Sequence, residues 1–369
     1  MEIIEKKIDG HEQVLFGEDP AANYRGIIAV HNTTLGPALG GTRLWRYSND
    51  EEALVDVLRL SRGMTYKNAL AGLPLGGGKS IIFAPEKISD REKLFRAHGR
   101  FVETLKGRYI TAEDVATTTR DMGYISLETK YVVGLEEGGG DPSPVTAHGV
   151  FRSILAAAKY HWGADDITGK VVALQGCGSV GYHLAKELHE AGARLVVTDI
   201  DRERINRMER DLGAEGVAPE DIYDARADIF APCALGGIIN DQTLPRLKVE
   251  IVAGAANNQL LEDRHGEALA ERGILYAPDY VANAGGVINV CIGALGWERE
   301  RVAAKVEEIY DTLLNVFKVA EAGGIPTSKA ADQLAEGRLQ IKSGGAMKNF
   351  KILEAMAVCP LLLSMFLRN

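Results

Sequence analysis

Residues 171–199, VVALQGCGSVGYHLAKELHEAGARLVVTD, contain the pattern that decides the fold. The apolar run over 171–175 predicts a buried strand, the periodic apolar residues over 180–190 predict a helix, and the run over 195–199 predicts a second strand. A strand, a helix and a strand of these lengths form a βαβ unit with parallel strands and a right-handed crossover. This part of the chain is therefore predicted to be an α/β domain.

A glycine-rich turn joins the first strand to the helix. It consists of Gly176, Cys177, Gly178, Ser179, Val180 and Gly181, which match the pattern G-x-G-x-x-G. Glycine at the first position allows a tight turn, at the second it lets the backbone touch a pyrophosphate, and at the third it allows close helix–strand packing. The N–H groups and the positive dipole end of the helix then face the phosphates. The context indicates a dinucleotide-binding site.

The acidic residue at the end of the second strand indicates which dinucleotide binds. Asp199 can accept hydrogen bonds from the hydroxyls of the adenosine ribose, and its charge would repel a 2′-phosphate. This position favours NAD over NADP. Arg202 leaves the alternative open, because an arginine can bind such a phosphate.

Size, composition and charge limit the remaining possibilities. A length of 369 residues predicts two domains at ~150 residues each, and 46% apolar with 25% charged residues is typical of a folded globular protein. The net charge of −9 disfavours nucleic acid and anionic membrane surfaces as partners. The N-terminal segment has no apolar core of a secretory signal, so we expect a cytoplasmic protein.

Cysteines and histidines do not form recognisable disulfide or metal motifs. The four cysteines, which are far apart in sequence and are expected to be reduced packing residues, are Cys177, Cys233, Cys291 and Cys359. No pair of histidines has the spacing of a metal-binding helix, so no metal site built from local ligands is predicted, and a site assembled across the fold stays the alternative. The apolar segment 352–367 is short for a membrane span, and we expect it to dock on the protein or to be buried in an oligomer.

Two helices are predicted in the first part of the chain. Ser48 with Glu51 has the spacing of a capping box and predicts a helix over about 49–63. Ser89 with Glu92 repeats this spacing before a second run of periodic apolar residues. Both serines are therefore expected to be N-caps.

Other segments complete the predicted architecture. The short run 80–84 is a strand, the Gly- and Pro-rich stretch 134–144 is a domain boundary, and the long helix over about 300–320 can reach back to the first domain. Strands that continue the parallel sheet are predicted at 229–231, 251–253 and 274–276. The fold class is therefore α/β, with a doubly wound parallel sheet in the second domain.

A lysine on a glycine-rich loop points to chemistry in the first domain. Residues 76–80, GGGKS, do not form a phosphate loop, because that pattern needs glycine where Leu73 stands and a helix where a strand follows. Lys67 precedes Lys79 by twelve residues. If both ammonium groups enter one cleft, repulsion and desolvation lower the pKa of one enough for it to act as a base, with Asp114 as the acid partner. A solvated surface charge is the alternative for each lysine.

Seven blocks of sequence carry a family resemblance. They are HNTTLGPALGGTR (31–43), RGMTYKNALAGLPLGGGKS (62–80), GRYITAEDVATT (107–118), PSPVTAHGV (142–150), DIFAPCALGGIIN (228–240), AGAANNQL (253–260) and YAPDYVANAGGVINV (276–290). In this order they resemble the NAD-dependent L-amino-acid dehydrogenases that act on leucine, valine and phenylalanine, a family related to glutamate dehydrogenases.

The resemblance implies an architecture. The expected parts are a substrate and oligomerisation domain over 1–142, a Rossmann-like NAD domain over 143–320, and C-terminal helices over 321–369 that return to the first domain. A cleft between the two domains, which closes on the substrate, and a homo-oligomeric assembly are also expected.

The resemblance also implies roles for individual residues. Lys67 corresponds to the lysine that holds the substrate α-carboxylate, Lys79 to the general base, and Asp114 to the acid that moves protons at the amino nitrogen. Backbone at Gly40 and Gly41 is expected to approach the amino acid. Thr146 is expected near the nicotinamide amide, and Asn257 and Asn283 near the substrate and the nicotinamide ribose.

By the same resemblance, the pocket for the substrate side chain is lined by Leu39, Ala112, Val287 and Val290. Because all four are apolar, a second carboxylate has no partner and glutamate is disfavoured. The expected reaction converts leucine, valine or isoleucine into a 2-oxo acid and ammonia. Aromatic amino acids stay the alternative, because one methylene discriminates by only about 1–3 kcal/mol.

Two alternatives come from other functional classes. A catalytically silent NAD-binding scaffold can share the fold, although it has no need of both lysines and Asp114. A 2-hydroxy-acid dehydrogenase can share the nucleotide domain, but it uses a histidine base, whereas a lysine pair suits amine chemistry.

Overall fold

The computed structural model describes residues 1–135 and 140–344, which form two compact units. The first unit contains the chain up to Gly140, Val290–Arg299 and the described residues from Arg338 onward. The second unit contains Asp141–Asn289 and Glu300–Gly337. The predicted docking tail over 352–367, with Cys359, lies outside the described residues.

A mixed six-stranded sheet forms the centre of the first unit. Its strands are β1 (Glu2–Lys6), β2 (Gln13–Asp19), β3 (Tyr24–Asn32), β4 (Ala38–Trp45), β5 (Gly76–Phe83) and β6 (Tyr109–Glu113). Their order across the sheet is β1-β2-β3-β5-β4-β6. The pairs β1–β2, β2–β3 and β3–β5 are antiparallel. β4 pairs in parallel with both β5 and β6. The carboxyl ends of β4 and β6 therefore lie at the same edge.

Three helices pack on this sheet: α1 (Asp50–Leu70), α2 (Arg91–Glu103) and α3 (Thr119–Ser126). The first two were predicted, but the predicted caps are wrong by one residue. Asn49, not Ser48, caps α1 by accepting a hydrogen bond from the Glu52 N–H. Asp90, not Ser89, caps α2. Asparagine and aspartate cap as well as serine does, so the backbone path decides which residue takes the position.

Strand alternation divides the residues of the first sheet between two faces. On one face, Ile27 and Ile81 join an apolar cluster with Ala53 and Val57 of α1. On the other face, Ile28 and Ile82 join a larger cluster whose members from α2 include Phe95 and Phe101. Lys79, two residues before Ile81, consequently lies on the α1 face.

A fully parallel six-stranded sheet forms the second unit. Its strands are β7 (Val171–Gln175), β8 (Arg194–Thr198), β9 (Glu215–Gly216), β10 (Ile229–Pro232), β11 (Ile251–Val252) and β12 (Leu275–Tyr276). Their order is β12-β11-β10-β7-β8-β9, and all pairs are parallel. The strand order reverses at β7, which is where doubly wound sheets bind ligands. The predicted α/β class with a doubly wound parallel sheet is confirmed.

The remaining helices are α4 (Ser143–Trp162), α5 (Ser179–Glu190), α6 (Arg202–Leu212), α7 (Arg264–Glu271), α8 (Asp279–Ala282), α9 (Gly285–Leu295), α10 (Arg299–Gly323) and α11 (Thr327–Lys342). Within residues 1–135 and 140–344, no helix has the length and apolar character needed to cross a bilayer. The same residues contain no group of three His, Cys, Asp or Glu side chains that could hold a metal ion.

A histidine of the second unit lies between two carboxylates. His148 on α4 contacts Glu187 on α5 through Nδ1 at 2.7 Å and Glu307 on α10 through Nε2 at 2.6 Å. The hydrogen bond to Glu187 has the largest effect. Together with Glu307 it raises the pKa of His148 from 6.5 to about 9, although partial burial acts in the opposite direction. The imidazolium therefore joins three helices at neutral pH.

This histidine makes the stability of the second unit depend on pH. Because the folded pKa is raised, the contribution of the imidazolium to the free energy of unfolding is fully present below pH 6.5 and is lost as the pH rises through about 9. We expect His148→Gln to unfold at lower urea concentration than the wild type near neutral pH. This difference should shrink toward about pH 10. An unchanged difference across this range would contradict the ion-pair explanation.

Candidate active site

Lys79 lies in the middle of β5 and is almost completely buried. Lys79 as a whole is 5% exposed. Its Nζ lies 3.0 Å from Oδ1 of Asp114, which directly follows β6. The lysine and the acid come together because β4 pairs in parallel with both β5 and β6. Lys79 is therefore not the solvated surface charge that the sequence left as an alternative.

Burial and charge act in opposite directions on this pair. Burial is the largest effect and, with the positive charge of Arg43, lowers the pKa of Lys79, while Asp114 partly restores it. Burial also acts to raise the pKa of Asp114, but Lys79 and Arg43 outweigh it and hold that pKa below its usual value. The result is a stable carboxylate beside an amine that gives up its proton more readily than a surface lysine.

Arg43 belongs to the same site and was missed by the sequence analysis. Its Nε donates to Asp114 Oδ2 at 3.0 Å, and its Nη1 donates to Asp56 Oδ2 at 2.9 Å. The sequence contained an indication that Arg43 belongs to the site, because Arg43 ends the first resemblance block and follows Gly41 by two residues on β4. Alternation therefore places both residues on one face of the sheet.

Close packing accounts for glycine at positions 40 and 41, whether or not a ligand binds there. A Cβ atom at Gly40 would lie 1.8 Å from the carbonyl oxygen of Gly78. At Gly41 it would lie 2.3 Å from the carbonyl oxygen of Glu113 and 2.8 Å from Cβ of Asp114. Glycine thus lets the backbone of β4 approach the strand of Lys79 and the residues around Asp114.

The predicted side-chain pocket residues are divided between the units. Leu39 is 1% exposed, and Ala112, which pairs with Gly41, is partly buried. Both lie in the first unit, on the face that carries Lys79. On α9, Val287 belongs to the second unit and Val290 to the first.

Lys67 lies in the last turn of α1 and is half-buried. The helix approaches β5 closely, because a Cβ atom at Gly77 would lie 2.0 Å from the backbone nitrogen of Thr65. Glycine in the strand therefore allows the end of α1 that carries Lys67 to pack against the strand that carries Lys79.

A second group of polar residues missed in the sequence lies on the opposite face of the sheet. Thr42 Oγ1 lies 2.7 Å from Ser80 Oγ, 2.5 Å from Thr111 Oγ1 and 2.9 Å from His98 Nε2. Burial lowers the pKa of His98 to about 3, so the ring is neutral. These hydrogen bonds link β4, β5 and β6 directly behind Lys79, and they stabilise the strand register that places it.

The predicted dinucleotide turn of the second unit lies between β7 and α5. Gly176 has a φ of +100°, and a Cβ atom at Gly181 would lie 1.9 Å from the Gly176 carbonyl oxygen. Gly178 is the N-cap of α5, where the described structure has no side-chain cap, and a Cβ there would meet only Arg204 Nη1 at 3.8 Å. Room beside Gly178 and N–H groups without a side-chain cap are features that suit a pyrophosphate. Ser179 and Val180 begin the helix.

Asp199 supports this turn directly. Its Oδ2 accepts a hydrogen bond from the Cys177 N–H at 2.7 Å, and its Oδ1 accepts one from the Asp201 N–H. The arginine near this carboxylate is Arg204, whose Nη1 lies 3.9 Å from Oδ2. Arg202, the arginine considered in the sequence, instead contacts Glu209 at 3.2 Å.

Three further predicted residues lie in the second unit, and two of them are hydrogen-bonded to each other. Asn283 Nδ2 donates to Asn257 Oδ1 at 2.8 Å and to the Ala255 carbonyl oxygen at 3.0 Å. Its buried Oδ1 has no hydrogen-bond partner among the described residues. Thr146 Oγ1 lies beside the start of α9, 3.0 Å from where a Cβ of Gly286 would be. An unpartnered buried acceptor is costly unless a ligand supplies a donor.

Comparison with known proteins identifies the family. A family model described as the dimerisation domain of Glu/Leu/Phe/Val dehydrogenases matches residues 11–131, and one described as glutamate/leucine/phenylalanine/valine dehydrogenase matches residues 198–342. Leucine dehydrogenase of Geobacillus stearothermophilus is 56% identical over 89% of this chain and 91% of its own length. L-tryptophan dehydrogenase of Nostoc punctiforme is 51% identical over 89% of this chain and 94% of its own.

A solved structure agrees with this result. The crystal structure of L-tryptophan dehydrogenase from Nostoc punctiforme has a TM-score of 0.82 and 48% identity, and the match covers 91% of this chain and 98% of that one. The chain therefore belongs to the glutamate/leucine/phenylalanine/valine dehydrogenase family and is an NAD-dependent amino-acid dehydrogenase.

Proposed function

We propose that this enzyme oxidatively deaminates branched-chain aliphatic L-amino acids, converting leucine, valine or isoleucine reversibly into the 2-oxo acid and ammonia. The observation that carries the proposal is the buried contact between Lys79 Nζ and Asp114 Oδ1. Because burial lowers the pKa of this amine, it loses its proton at lower pH than an exposed lysine and can take a proton from water and return it later. A silent scaffold has no use for a lysine buried at such cost.

In this proposal the residues of the first unit handle the substrate and its protons. Lys67 holds the α-carboxylate. Bound NAD would supply the oxidation by taking a hydride from the α-carbon, which would leave the amino acid as an iminium ion. Lys79 then removes a proton from the water that attacks the iminium carbon, and Asp114 carries protons to and from the amino nitrogen. The carbinolamine releases ammonia and the 2-oxo acid.

The second unit is proposed to hold NAD. The pyrophosphate would bind the N–H groups at the start of α5, in front of Gly178, and the adenosine ribose would lie near Asp199. The unpartnered Oδ1 of Asn283 would accept a hydrogen bond from the nicotinamide half of NAD. Asn257, which is hydrogen-bonded to Asn283, and Thr146 would also lie near this half. The assignment of 1–142 to the substrate, 143–320 to NAD and 321–369 to the returning helices stays a prediction.

The choice of aliphatic over aromatic substrates rests on the predicted pocket. Leu39, Ala112, Val287 and Val290 offer apolar contacts and no partner for a charged side chain. The second candidate is an aromatic amino acid, and it is favoured by the similarity to L-tryptophan dehydrogenase, at 51% identity. Branched aliphatic side chains are preferred here because leucine dehydrogenases match at 53–56% identity.

A substrate panel tests the proposal. NADH formation would be followed with L-leucine, L-valine, L-isoleucine, L-phenylalanine, L-tryptophan and L-glutamate under identical conditions. We expect the highest kcat/KM among the three branched aliphatic substrates. A higher value for phenylalanine or tryptophan would establish the aromatic alternative, and no activity with any of the six would reject the proposal.

We also propose a homo-oligomer, in agreement with a family domain described as a dimerisation domain. β1 supports this, because it is an edge strand of the first sheet and all five of its residues are exposed. Such an edge is available for pairing with another chain. Light scattering of the purified protein gives the subunit number directly. The predicted cytoplasmic location stays a prediction.

A further inference from the structure

Charged residues alternate in sign along a connected path on the α1 face of the first sheet. Lys79 Nζ contacts Asp114 Oδ1 at 3.0 Å, and Arg43 Nε contacts Asp114 Oδ2 at 3.0 Å. Arg43 Nη1 continues to Asp56 on α1 at 2.9 Å. The side chains of Lys79, Asp114, Arg43 and Asp56 are 6%, 21%, 21% and 16% exposed, so solvent screens them only in part.

The path ends at a hydroxyl. Tyr47 OH donates to Asp56 Oδ2 at 2.7 Å, the same oxygen that accepts from Arg43. Asp56 is thus held from two sides. Arginine keeps its charge at all pH values at which proteins are folded. The pKa of Asp114 is held below its usual value and burial raises the pKa of Tyr47, whereas burial lowers the pKa of Lys79, so Lys79 is the member of the path whose proton the neighbouring charges can control.

We propose that Arg43, held by Asp56, is a positioning residue that keeps the Asp114 carboxylate oriented toward Lys79 and controls whether the proton rests on the lysine. The proposal rests on the proposed function, in which Lys79 acts as a base. Arg43 touches no reacting atom in it. It binds the second oxygen of Asp114, so this carboxylate cannot give both oxygens to the lysine, and its own charge repels a proton from Lys79.

The charges of Arg43 and Asp56 have opposite signs, which makes the proposal testable. The positive charge of Arg43 lowers the pKa of Lys79, and the negative charge of Asp56 raises it. Removing the arginine charge should therefore keep the lysine protonated to higher pH, and removing the Asp56 charge should release the proton at lower pH. A purely structural role for the pair predicts no such opposition.

Further groups lie on β3 and α1, the elements that pack beside β5. β3 contributes the apolar Ala29, which pairs with Lys79. Arg59 on α1 lies 3.7 Å from Asp56 and is 63% exposed, so its effect is weak. Lys67 lies further along α1, in its last turn. The second oxygen of Asp114 accepts its hydrogen bond from Arg43.

The experiment compares Arg43→Gln, Arg43→Lys and Asp56→Asn with the wild type. Arg25→Gln is the matched control, because Arg25 on β3 also pairs with an aspartate of α1, Asp50, at 2.9 Å, but at the exposed surface. Trace acetic anhydride is added at a series of pH values to the NAD-free protein, and acetylation of Lys79 is measured by peptide mass spectrometry. The midpoint of this titration reports the amine directly, without substrate or NAD.

We expect the Lys79 midpoint to rise by roughly one pH unit in Arg43→Gln and to fall by a similar amount in Asp56→Asn, the order of effect of one nearby charge. Arg43→Lys keeps the positive charge, so its midpoint should stay close to that of the wild type. Arg25→Gln should leave the midpoint unchanged. In the active enzyme, the acid limb of kcat/KM with L-leucine should move in the same directions.

Shifts of the same sign in both variants, or no shift in either, would overturn the proposal. If Arg43→Gln does not fold, as judged by circular dichroism, Arg43→Lys and Asp56→Asn still decide the question, because only the second should move the midpoint downward. Failure of the wild type to oxidise any amino acid would reject the proposed function alone. The acetylation midpoints would still judge the role of Arg43.

Discussion

Replacing Lys79 with alanine is expected to lower kcat with L-leucine by about 10²–10⁴-fold or more, the range for loss of a general base. The amine is buried and lies 3.0 Å from Asp114, and alanine leaves this position without a basic group. Binding of NAD should be unchanged, because the predicted cofactor residues lie in the second unit. Stopped-flow measurement of NADH formation and calorimetric titration with NAD separate the two effects.

Lys93→Ala is the matched control for this variant, because Lys93 is an exposed lysine on α2 of the same unit. Its kcat should equal that of the wild type. Near-normal turnover of Lys79→Ala would remove the base from the mechanism. Weaker NAD binding with an unchanged kcat at saturating NAD would assign Lys79 to the cofactor instead.

The largest expected loss of stability comes from Gly40→Ala. The new Cβ would lie 1.8 Å from a backbone oxygen, that of Gly78, so either β4 or β5 must move, and no side chain can turn away to make room. Forced overpacking of this kind costs roughly 1–3 kcal/mol, and more where the backbone cannot shift. We expect a value at or above the top of this range in urea unfolding, accompanied by loss of activity.

Gly63→Ala provides the matched control. Gly63 lies inside α1, and a Cβ atom there meets no other atom within 4 Å. Alanine in a helix interior is favoured over glycine by roughly 0.5–1 kcal/mol, so this variant should be slightly more stable than the wild type. If Gly40→Ala unfolds at the same urea concentration as Gly63→Ala, β4 and β5 do not pack as closely at Gly40 as the structure indicates.

Local patterns were sufficient for the βαβ unit of the second domain. The strand over 171–175 and the helix that follows were predicted within one residue, because a buried parallel strand and an amphipathic helix each leave a clear period in the sequence. Helix caps were less well determined, since Ser48 and Asn49, or Ser89 and Asp90, are adjacent residues of equal capping ability. The strand with Lys79 was predicted to begin at 80, but it begins at Gly76.

The strand β5 shows why the remaining features needed the tertiary structure. Glycine is unfavourable in strands, so the run of three glycines was interpreted as a loop. Gly76–Phe83 is nevertheless a strand, because neighbouring segments pack so closely that there is no room for side chains at these glycines. The contact of Arg43 with Asp56 and Asp114 joins three elements that are distant in sequence. No spacing rule predicts such a contact, because it depends on the order of strands in the sheet.

The sequence by itself determined the α/β class, the dinucleotide turn and the identity of the lysines and acid of the proposed site, because these depend on residue type and short-range periodicity. Only the tertiary structure decided that Lys79 is buried against Asp114, that Arg43 binds the other oxygen of this acid, and that Arg204 rather than Arg202 lies near Asp199. The physical reason is that burial and ion pairing are set by chain segments that meet only after the sheets have formed.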